Sequence, residues 1–413
     1  MLFPVAVLAV VFVLIAVRRH VPRVRLHMWQ IMLGGCVAVL VAQSITFSEA
    51  LYAVDYDVIL FLFCMFVVGA ALEESGYLAH LTYKVFRRAS SVSSLILSVV
   101  FVNGVASAFL LNDTLAIIGT PIVLLLARTQ RVSPKLLLLA LAFGVTTGSV
   151  MSPIGNPQNL LVALNGGVEN PFLIFFKALF IPTLINLFVC YLVLKFFFRD
   201  QFNGVKLVYT DEKSKDPFLA SLTKLSLSVI ILLVVAKVLA AELNTGRDIQ
   251  LTYIALAACL PILIFSSKRF TIMRKVDWHT LIFFASMFIL MEAVWTTGFF
   301  QNAIKSLNVD ITSTPMILAV SIILSQFISN VPLVALYLPM LREAGATTQG
   351  MLALAAGSTI AGNLLILGAA SNIIIIQHAE ETSGETISFR EFAKIGVPLT
   401  AINAIVYWLF LRR

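Results

Sequence analysis

The sequence predicts an all-α polytopic membrane protein made of two inverted repeats, each with about five transmembrane helices, a re-entrant hairpin and a broken helix. Three observations predict this fold class. The composition is too apolar for a soluble domain, and long apolar runs recur along the chain. Short polar motifs also occur twice in the same order, about 213 to 220 residues apart. The chain is therefore predicted to lie in a lipid bilayer and to contain a duplication.

The composition is that of a chain embedded in lipid. Of the 413 residues, 60% are hydrophobic and 12% are charged, whereas soluble domains carry roughly 25% charged residues. Apolar runs of about 17 to 25 residues, long enough to cross a bilayer, recur from Leu2 to Leu411. The first run lacks the basic flank and cleavage site of a signal peptide, so we expect a retained span. We expect a multi-pass protein of a prokaryotic plasma membrane.

Neither charge nor cysteine content indicates another class of protein. The net charge of +8 does not predict nucleic-acid binding, because the basic residues lie in short loops between spans. The cysteines lie inside apolar runs without the paired spacing of metal sites. We therefore expect no nucleic-acid partner, no disulfide framework, no zinc site and no cofactor.

Each copy is predicted to contain three spans, a long apolar stretch that re-enters the membrane, an interrupted span and a closing span. In the first copy, residues 1–198, these segments cover about 2–17, 28–46, 58–78, 92–130, 134–165 and 171–198. In the second copy, residues 219–413, they cover about 219–240, 250–266, 278–298, 314–343, 349–377 and 393–411. Residues 199–218 are polar and are expected to form a cytoplasmic linker.

Three motif pairs define the repeat. Asp57 and the apolar run after it correspond to Asp277 and its run, and Asn112 corresponds to Asn330. The third pair is Gly144-x-Thr146 with Gly155 and Asn159 against Gly357-x-Thr359 with Gly368 and Asn372. Loop charges predict opposite orientations of the copies, as an odd number of crossings requires. The first loop of the first copy is rich in arginine, whereas its counterpart carries mixed charges. The second loops show the reverse pattern, acidic in the first copy and basic in the second.

Polar interruptions of the apolar runs mark the predicted binding site, because broken helices at membrane depth survive only where protein buries them or where they line a wet cavity. Four interruptions occupy corresponding places in the two copies. Inverted repeats bring such breaks together near the midplane, where helix N-termini can face an anion and free carbonyls can bind a cation. The candidate substrate-binding residues are Asn112, Asp113, Thr114, Gly155, Asn156, Gln158, Asn159, Ser329, Asn330, Gly368, Ser371 and Asn372.

Asp113 is the strongest single candidate. A carboxylate in the middle of a long apolar stretch costs free energy to place in the membrane and is by default a functional residue. Its counterpart is Val331, so the predicted site is not symmetric in charge. We expect Asp113, with Asn112 and Asn330, to bind the coupling cation. Sodium is the only metal ion expected. The alternative is that Asp113 caps the second half-helix of the hairpin.

The four interruptions contain no Arg or Lys. An anionic substrate would therefore depend on helix N-termini, amide donors and a co-bound cation, whereas a neutral substrate would need none of these. Asp57, Glu73, Glu74 and Asp277 lie near span ends, where interface exposure or a helix N-terminus accounts for them. Glu292 falls within an apparent span, where it could either bind the coupling ion or simply be buried against a partner. The histidines lie near span ends or in loops and form no catalytic motif, so no enzyme is predicted.

These motifs resemble the ion transporter superfamily, which includes arsenite efflux permeases, citrate and dicarboxylate transporters and some sodium/proton antiporters. Residues 112–114 with Thr120-Pro121 resemble the hairpin tip of the arsenite-permease branch. Residues 153–159 are similar to the helix break of the anion and citrate permease branch, and Ser329-Asn330 matches the start of its Ser-Asn-Thr signature. The resemblance covers nearly the whole chain.

The resemblance implies that two hairpins enter from opposite sides, that their tips and the helix breaks hold substrate and sodium, and that one part moves against a scaffold as an elevator. It implies a secondary active transporter that moves a small anion, a carboxylate or an inorganic oxyanion, coupled to Na⁺ or H⁺. The alternatives are an arsenite or antimonite efflux permease, a Na⁺/H⁺ antiporter and, from a different class, an ion channel. Members of the superfamily also suggest a homodimer.

Overall fold

The computed structural model describes residues 2–17, 27–77, 86, 89–202, 216–242, 250–299, 302 and 310–412. Within these ranges the regular structure is helical throughout, which confirms the predicted all-α class. The basic first loop and most of the predicted linker 199–218 fall outside the described residues. A short 3₁₀ helix, Arg199–Phe202, occupies the start of that linker.

The first half of the described chain contains nine α-helices. They are α1 (Phe3–Val17), α2 (Met28–Val41), α3 (Phe47–Ala53), α4 (Tyr56–Ser75), α5 (Val92–Ser107), α6 (Asn112–Gln130), α7 (Pro134–Ser149), α8 (Pro157–Asn165) and α9 (Pro171–Phe197). The predicted stretches 92–130 and 134–165 are each two helices with a break between them. The re-entrant course of the first stretch stays a prediction.

The second half also contains nine α-helices in its described ranges. They are α10 (Pro217–Glu242), α11 (Leu251–Phe265), α12 (Arg269–Lys275), α13 (Trp278–Trp295), α14 (Thr314–Ile328), α15 (Asn330–Glu343), α16 (Thr348–Leu364), α17 (Ala370–Ser383) and α18 (Phe389–Leu411). The bounds follow the predicted segments closely. The short helices α3 and α12 were not predicted, because they lie in connections and are too short to give an apolar run.

Five helices in the described ranges are long and apolar enough to cross a membrane: α4, α9, α10, α13 and α18. Six further apolar helices are shorter, namely α1, α2, α5, α7, α11 and α14. A helix of 15 residues spans only about 22 Å, so it crosses most of a hydrocarbon core rather than all of it. Together these helices make the chain an integral, multi-pass membrane protein.

Carboxylates cap two helices in corresponding places. Asp55 Oδ1 accepts a hydrogen bond of 3.1 Å from Val58 N at the start of α4, and Asp277 Oδ1 accepts one of 3.0 Å from Thr280 N at the start of α13. Such caps satisfy backbone N–H groups that the helix leaves without partners. Asp277 and Asp55 therefore occupy the same position relative to their helices, two residues away from the predicted match of Asp277 with Asp57.

Helix packing follows the same plan in the two halves. In the first half α5 packs on α7, and in the second half α14 packs on α16. Matching contacts also cross between the halves, since α2 packs on α13 and α4 packs on α11. In the same way α6 packs on α17 and α15 packs on α8. This correspondence supports the predicted duplication, while the domain boundaries and the opposite orientations stay predictions.

Glycines permit the close approach of α5 and α7. A Cβ atom added to Gly148 would lie 2.1 Å from the carbonyl oxygen of Gly104, and one added to Gly144 would lie 3.0 Å from that of Val100. Gly357 of α16 occupies the place of Gly144, and its Cβ would lie 3.2 Å from Cα of Leu318. Small residues at helix crossings are the usual basis of close packing in membranes.

An ionic cluster joins α4, α10 and α12 at one face of the molecule. Lys268 Nζ lies 3.2 Å from Glu74 Oε1 and 3.1 Å from Asp216 Oδ2, and Lys275 Nζ lies 2.9 Å from Glu74 Oε2. Hydrogen bonds from the backbone of Leu219 and from Lys268 lower the pKa of Asp216. Because α13 begins directly after α12, its N-terminus lies on this face as well.

Candidate functional site

The four predicted interruptions, residues 112–114, 152–159, 329–332 and 368–372, each lie in or directly next to a break between helices. Residues 108–111 separate α5 from α6, and residues 150–156 separate α7 from α8. In the second half, Ser329 alone separates α14 from α15, while residues 365–369 separate α16 from α17. Ser329 has a φ angle of 69°, a conformation that costs a residue with a side chain about 1–3 kcal/mol and is often found at functional sites.

These breaks meet at a cavity of about 880 Å³. Its wall contains the first residues of four helices, which are Asn112 of α6, Pro157 of α8, Asn330 of α15 and Ala370 of α17. The N–H groups at a helix N-terminus carry partial positive charge and are ready-made partners for anions. Four such ends around one cavity provide partial positive charge, although the described lining contains no Lys or Arg.

Three of the four helix ends are not capped by a side chain. The N-cap positions are Leu111 for α6, Ser329 for α15 and Ala369 for α17, and none makes a side-chain cap. At α8, by contrast, Asn156 Oδ1 accepts a hydrogen bond of 2.8 Å from Asn159 N. At α6 the first two N–H groups have other protein partners, since Asn112 N donates to Gly155 O and Asp113 N donates to Asn112 Oδ1, each at 3.0 Å. N–H groups at a helix start that lack a protein partner are satisfied by solvent or by a ligand. The cavity can supply either one.

Five of the predicted substrate-binding residues line the cavity: Asn112, Asp113, Gln158, Ser329 and Asn330. Asn330 is only 6% exposed, and its Oδ1 atom has no hydrogen-bond partner among the described residues. Asp113 is half-buried. Hard cations take oxygen ligands from carboxylates and amides. Asp113 and the free amide oxygen of Asn330 are therefore suitable ligands for a sodium ion at the hairpin tips.

Asn156 is the last residue of the break between α7 and α8, and Asn159 lies in the first turn of α8. Both are fully buried and do not line the cavity. Asn156 Nδ2 donates to Ser149 Oγ at 2.9 Å, and Asn159 Nδ2 donates to Ser149 O at 3.0 Å. Asn159 Oδ1 accepts a hydrogen bond of 3.1 Å from Thr359 of α16. Both amides hold the broken backbone in place, and their predicted role in substrate binding stays a prediction.

Asn372 holds the corresponding break of the second half. Its Nδ2 atom donates to Gly362 O at 2.6 Å, the counterpart of the bond from Asn159 to Ser149. Asn372 Oδ1 and the neighbouring Ser371 Oγ have no hydrogen-bond partner among the described residues. Both side chains are buried behind Ala369 and Ala370, which supply this part of the cavity wall.

The remaining predicted site residues act in packing. A Cβ atom on Gly155 would lie 2.3 Å from Ser149 O, and one on Gly368 would lie 2.4 Å from Ala361 O. Neither position has room for a side chain. Thr114 is buried against Gly69 of α4. These residues position the tips and breaks without facing the cavity, so their part in substrate binding also stays a prediction.

The structure adds cavity residues that the motifs did not indicate. They come from the starts of α2 and α13 and are His27, Trp29, Asp277, His279 and Thr280. The sequence analysis placed the histidines and Asp277 at span ends and gave them no role. Their position in the sequence was the available signal, since each group begins a span directly after a loop rich in basic residues. Glu292, in contrast, is exposed and does not line the cavity.

The cavity opens at the face where α2 and α13 begin. His27, Asp277 and His279 are exposed there, whereas Asn112 and Asn330 are buried. The cavity therefore runs from an exposed rim to the hairpin tips. This rim lies on the same face as the ionic cluster of α4, α10 and α12, because Asp277 follows α12 by two residues.

The opposite end of α4 is closed by polar contacts. Asn165 Nδ2, at the end of α8, donates to Asp55 Oδ2 at 2.8 Å, and Arg342 Nη1, at the end of α15, donates to Asn165 O at 3.0 Å. Thr252 Oγ1 of α11 donates to Asp57 Oδ1 at 2.9 Å. Since α4 has 20 residues, these contacts lie about 30 Å from the rim side of the helix.

Comparison with known proteins agrees with this architecture. The structure of the Alcanivorax borkumensis YdaH transporter, described as having an unusual topology, aligns with a TM-score of 0.61 and 14% identity over 89% of this chain and 87% of that one. An uncharacterized transporter of Mycobacterium tuberculosis is 29% identical over 93% of this chain and 94% of its own length. The silicon efflux transporter LSI3 of Oryza sativa subsp. japonica is 26% identical over 95% of this chain and 94% of its own length.

A family model described as "Citrate transporter" matches residues 10–351. The match includes residues 153–159 and Ser329-Asn330, which carried the resemblance to the citrate and anion permease branch, and residues 112–114. That resemblance is confirmed. The chain is a membrane transporter and belongs to the citrate transporter family.

Proposed function

We propose that this chain is a secondary active transporter of a prokaryotic plasma membrane that moves a small anion, a carboxylate or an inorganic oxyanion, together with Na⁺ or H⁺. The observation that carries this proposal is the convergence of four helix N-termini on one cavity whose described lining contains no Lys or Arg. Such ends favour negative charge. The helix N-termini also bind an anion weakly enough for its release, because each contributes only about half an elementary charge.

The charges at the cavity also explain how anion transport would be coupled to a cation. Asp113 at the cavity wall disfavours an anion when it is ionised and unoccupied. A sodium ion or a proton on this carboxylate removes the repulsion, and a sodium ion adds a positive charge beside the helix ends. Cation and anion then increase each other's affinity reciprocally. Asn112 and Asn330 supply amide oxygens for a sodium ion at the two tips.

Movement of the site across the membrane is an elevator motion in this proposal. Helices α5–α8 and α14–α17 pack on one another and carry all four breaks. They slide against a scaffold that includes α2, α4, α11 and α13. The cavity opens at the starts of α2 and α13 while Asn165 holds Asp55 at the other end. Opening to that other side requires this contact to break.

A second candidate function is the efflux of an uncharged inorganic acid. The lack of Lys and Arg among the described lining residues suits a neutral solute that binds through amide and hydroxyl groups. A relative is named as a silicon efflux transporter, and silicic acid, like arsenous acid, is uncharged in neutral solution. In this case Asp113 would bind a counter-transported proton, as it also would in a Na⁺/H⁺ antiporter.

Thermal unfolding of the purified full-length protein separates these functions, because a ligand that binds only the folded state stabilises it, by about 2.7 kcal/mol at a hundred times Kd. The ligands are citrate, succinate, sulfate, phosphate, arsenite and antimonite, each with and without sodium, at two pH values. We expect stabilisation by an anion only in the presence of sodium or at the lower pH. Stabilisation by arsenite or antimonite alone, whatever the cation, would favour metalloid efflux instead.

A further inference from the structure

The rim of the cavity contains a stack of three aromatic side chains. The ring centroids of His27 and His279 are 6.5 Å apart with an interplanar angle of 6°, and those of Trp29 and His279 are 5.1 Å apart at 19°. All three residues line the cavity. His27 precedes α2 and His279 lies in the first turn of α13, so the stack joins helices from the two halves of the chain.

These two imidazoles are the only side chains in the described cavity lining that can carry a positive charge. The other ionisable groups in the described cavity lining are Asp113 of α6 and Asp277, the N-cap residue of α13. Asp277 is already engaged as the cap of α13, since its oxygens accept hydrogen bonds of 3.0 Å and 2.6 Å from the N–H and hydroxyl groups of Thr280.

Several charged groups on the helices that pack against α2 and α13 have partners away from the stack. Helix α1 has no ionisable residue in its described range. Glu49 of α3 accepts from Thr46, and Arg342 of α15 donates to Asn165. On α4, the described ionisable residues make contacts away from the stack: Asp57 with Thr252, and Glu73 and Glu74 with Lys275. Among the described lining residues, the ionisable groups of the rim are therefore the two histidines and the two aspartates.

We propose that His27, His279 and Trp29 form a receiving subsite for the anionic end of the substrate, a carboxylate or an oxyanion, at the mouth of the cavity. The subsite rests on the proposed anion transport. Two stacked imidazolium rings repel each other, so an anion at their N–H edges favours the doubly protonated pair. Binding of the anion at the rim is then linked to proton uptake, and the indole of Trp29 fixes the plane of the His279 ring.

The test is the affinity of the full-length protein for citrate at saturating sodium, measured by titration calorimetry at several pH values from 6 to 8. Two buffers with different ionisation enthalpies report the number of protons taken up. We expect the wild-type affinity to fall with pH, by at most about tenfold per pH unit for each linked proton. The double variant H27Q/H279Q should bind citrate more weakly than the wild type at pH 6 and take up fewer protons, and each single variant should lose part of the effect.

H378Q is the matched control, because His378 lies in α17 and does not line the cavity. It should behave as the wild type. If the double variant does not fold, the two single variants, each changed at an exposed rim residue, provide the same comparison. Unchanged pH dependence and proton uptake in the histidine variants would overturn the subsite alone. If the wild type binds none of citrate, phosphate or sulfate, the proposed anion transport fails and the subsite fails with it.

Discussion

The side chain of Asn165 donates a hydrogen bond of 2.8 Å to Asp55, and this contact joins the end of α8 to the cap of α4. Helix α8 carries one of the breaks at the cavity, whereas α4 belongs to the proposed scaffold. The bond lies at the closed end of the molecule, so it is expected to stabilise the state in which the cavity opens at the rim of α2 and α13.

Replacing Asn165 by Ala should shift the protein towards the opposite open state. The variant removes the bond to Asp55 but keeps the backbone oxygen that Arg342 uses. A hydrogen bond to a charged group is worth about 1.5–3 kcal/mol, so the ratio of the two states should change by roughly tenfold or more. Thiol labelling of a cysteine introduced at Thr252 reports the change, because the four native cysteines are buried.

Labelling at position 252 should be faster in the N165A background and unchanged in an E169A background, which alters an exposed residue four positions later. Equal labelling rates in N165A and the parent protein would mean that the contact does not hold this end closed. The elevator proposal would then lose its structural basis at α8.

Cys64 of α4 and Cys259 of α11 provide a test of the packing between the two halves. Their Sγ atoms are 3.2 Å apart, both are buried, and the residues are 195 positions apart in the sequence. A membrane-permeant oxidant such as iodine should join them. With a protease site inserted in the segment 203–215, the two fragments should stay linked on a non-reducing gel after oxidation, and reductant should separate them.

The C64S variant is the control for this cross-link, and its fragments should separate with or without oxidant. Fragments of the parent protein that separate after oxidation, while other thiols in the sample react, would contradict the packing of α4 on α11.

Substitution of Gly148 by Ala should destabilise the protein. The added Cβ atom would lie 2.1 Å from Gly104 O, so α5 and α7 must move apart. Overpacking of this kind typically costs about 1–3 kcal/mol. Gly34 in α2 is the matched control, because an added Cβ atom there meets nothing within 4 Å.

Thermal unfolding in detergent compares the two glycine variants. G148A should unfold at a lower temperature than the parent, and G34A should unfold at the same or a slightly higher temperature, since Ala favours helix over Gly by about 1 kcal/mol. If both variants unfolded at the parent temperature, the close crossing of α5 and α7 would be wrong.

The spans and their breaks could be predicted because both depend on local sequence. An apolar run of membrane length predicts a span, and Asn, Pro and Gly inside it predict a break that protein must bury. The tip residues Asn112, Asp113 and Asn330 follow from the same reasoning. Helix α12 could not be predicted in this way, because it is a basic segment of seven residues and contains no apolar run.

The rim could not be predicted, because His27 and His279 meet only through the packing of α2 on α13. Their positions at span ends gave no sign that the two ends lie together. The roles of Asn156 and Asn159 could not be predicted from the sequence for a related reason. A polar motif predicts where a helix breaks, but the tertiary contacts decide which side chains hold the backbone and which face the cavity.

The account depends most on Asp113 as the ligand of the coupling cation at the hairpin tips. The direct measurement is citrate uptake into proteoliposomes under an imposed sodium or proton gradient, with wild type and D113N compared at equal reconstitution. We expect a gradient to drive accumulation by the wild type, while D113N shows no gradient-driven accumulation but still exchanges citrate at equilibrium. Accumulation by D113N at the wild-type rate and with the wild-type cation dependence would contradict the account.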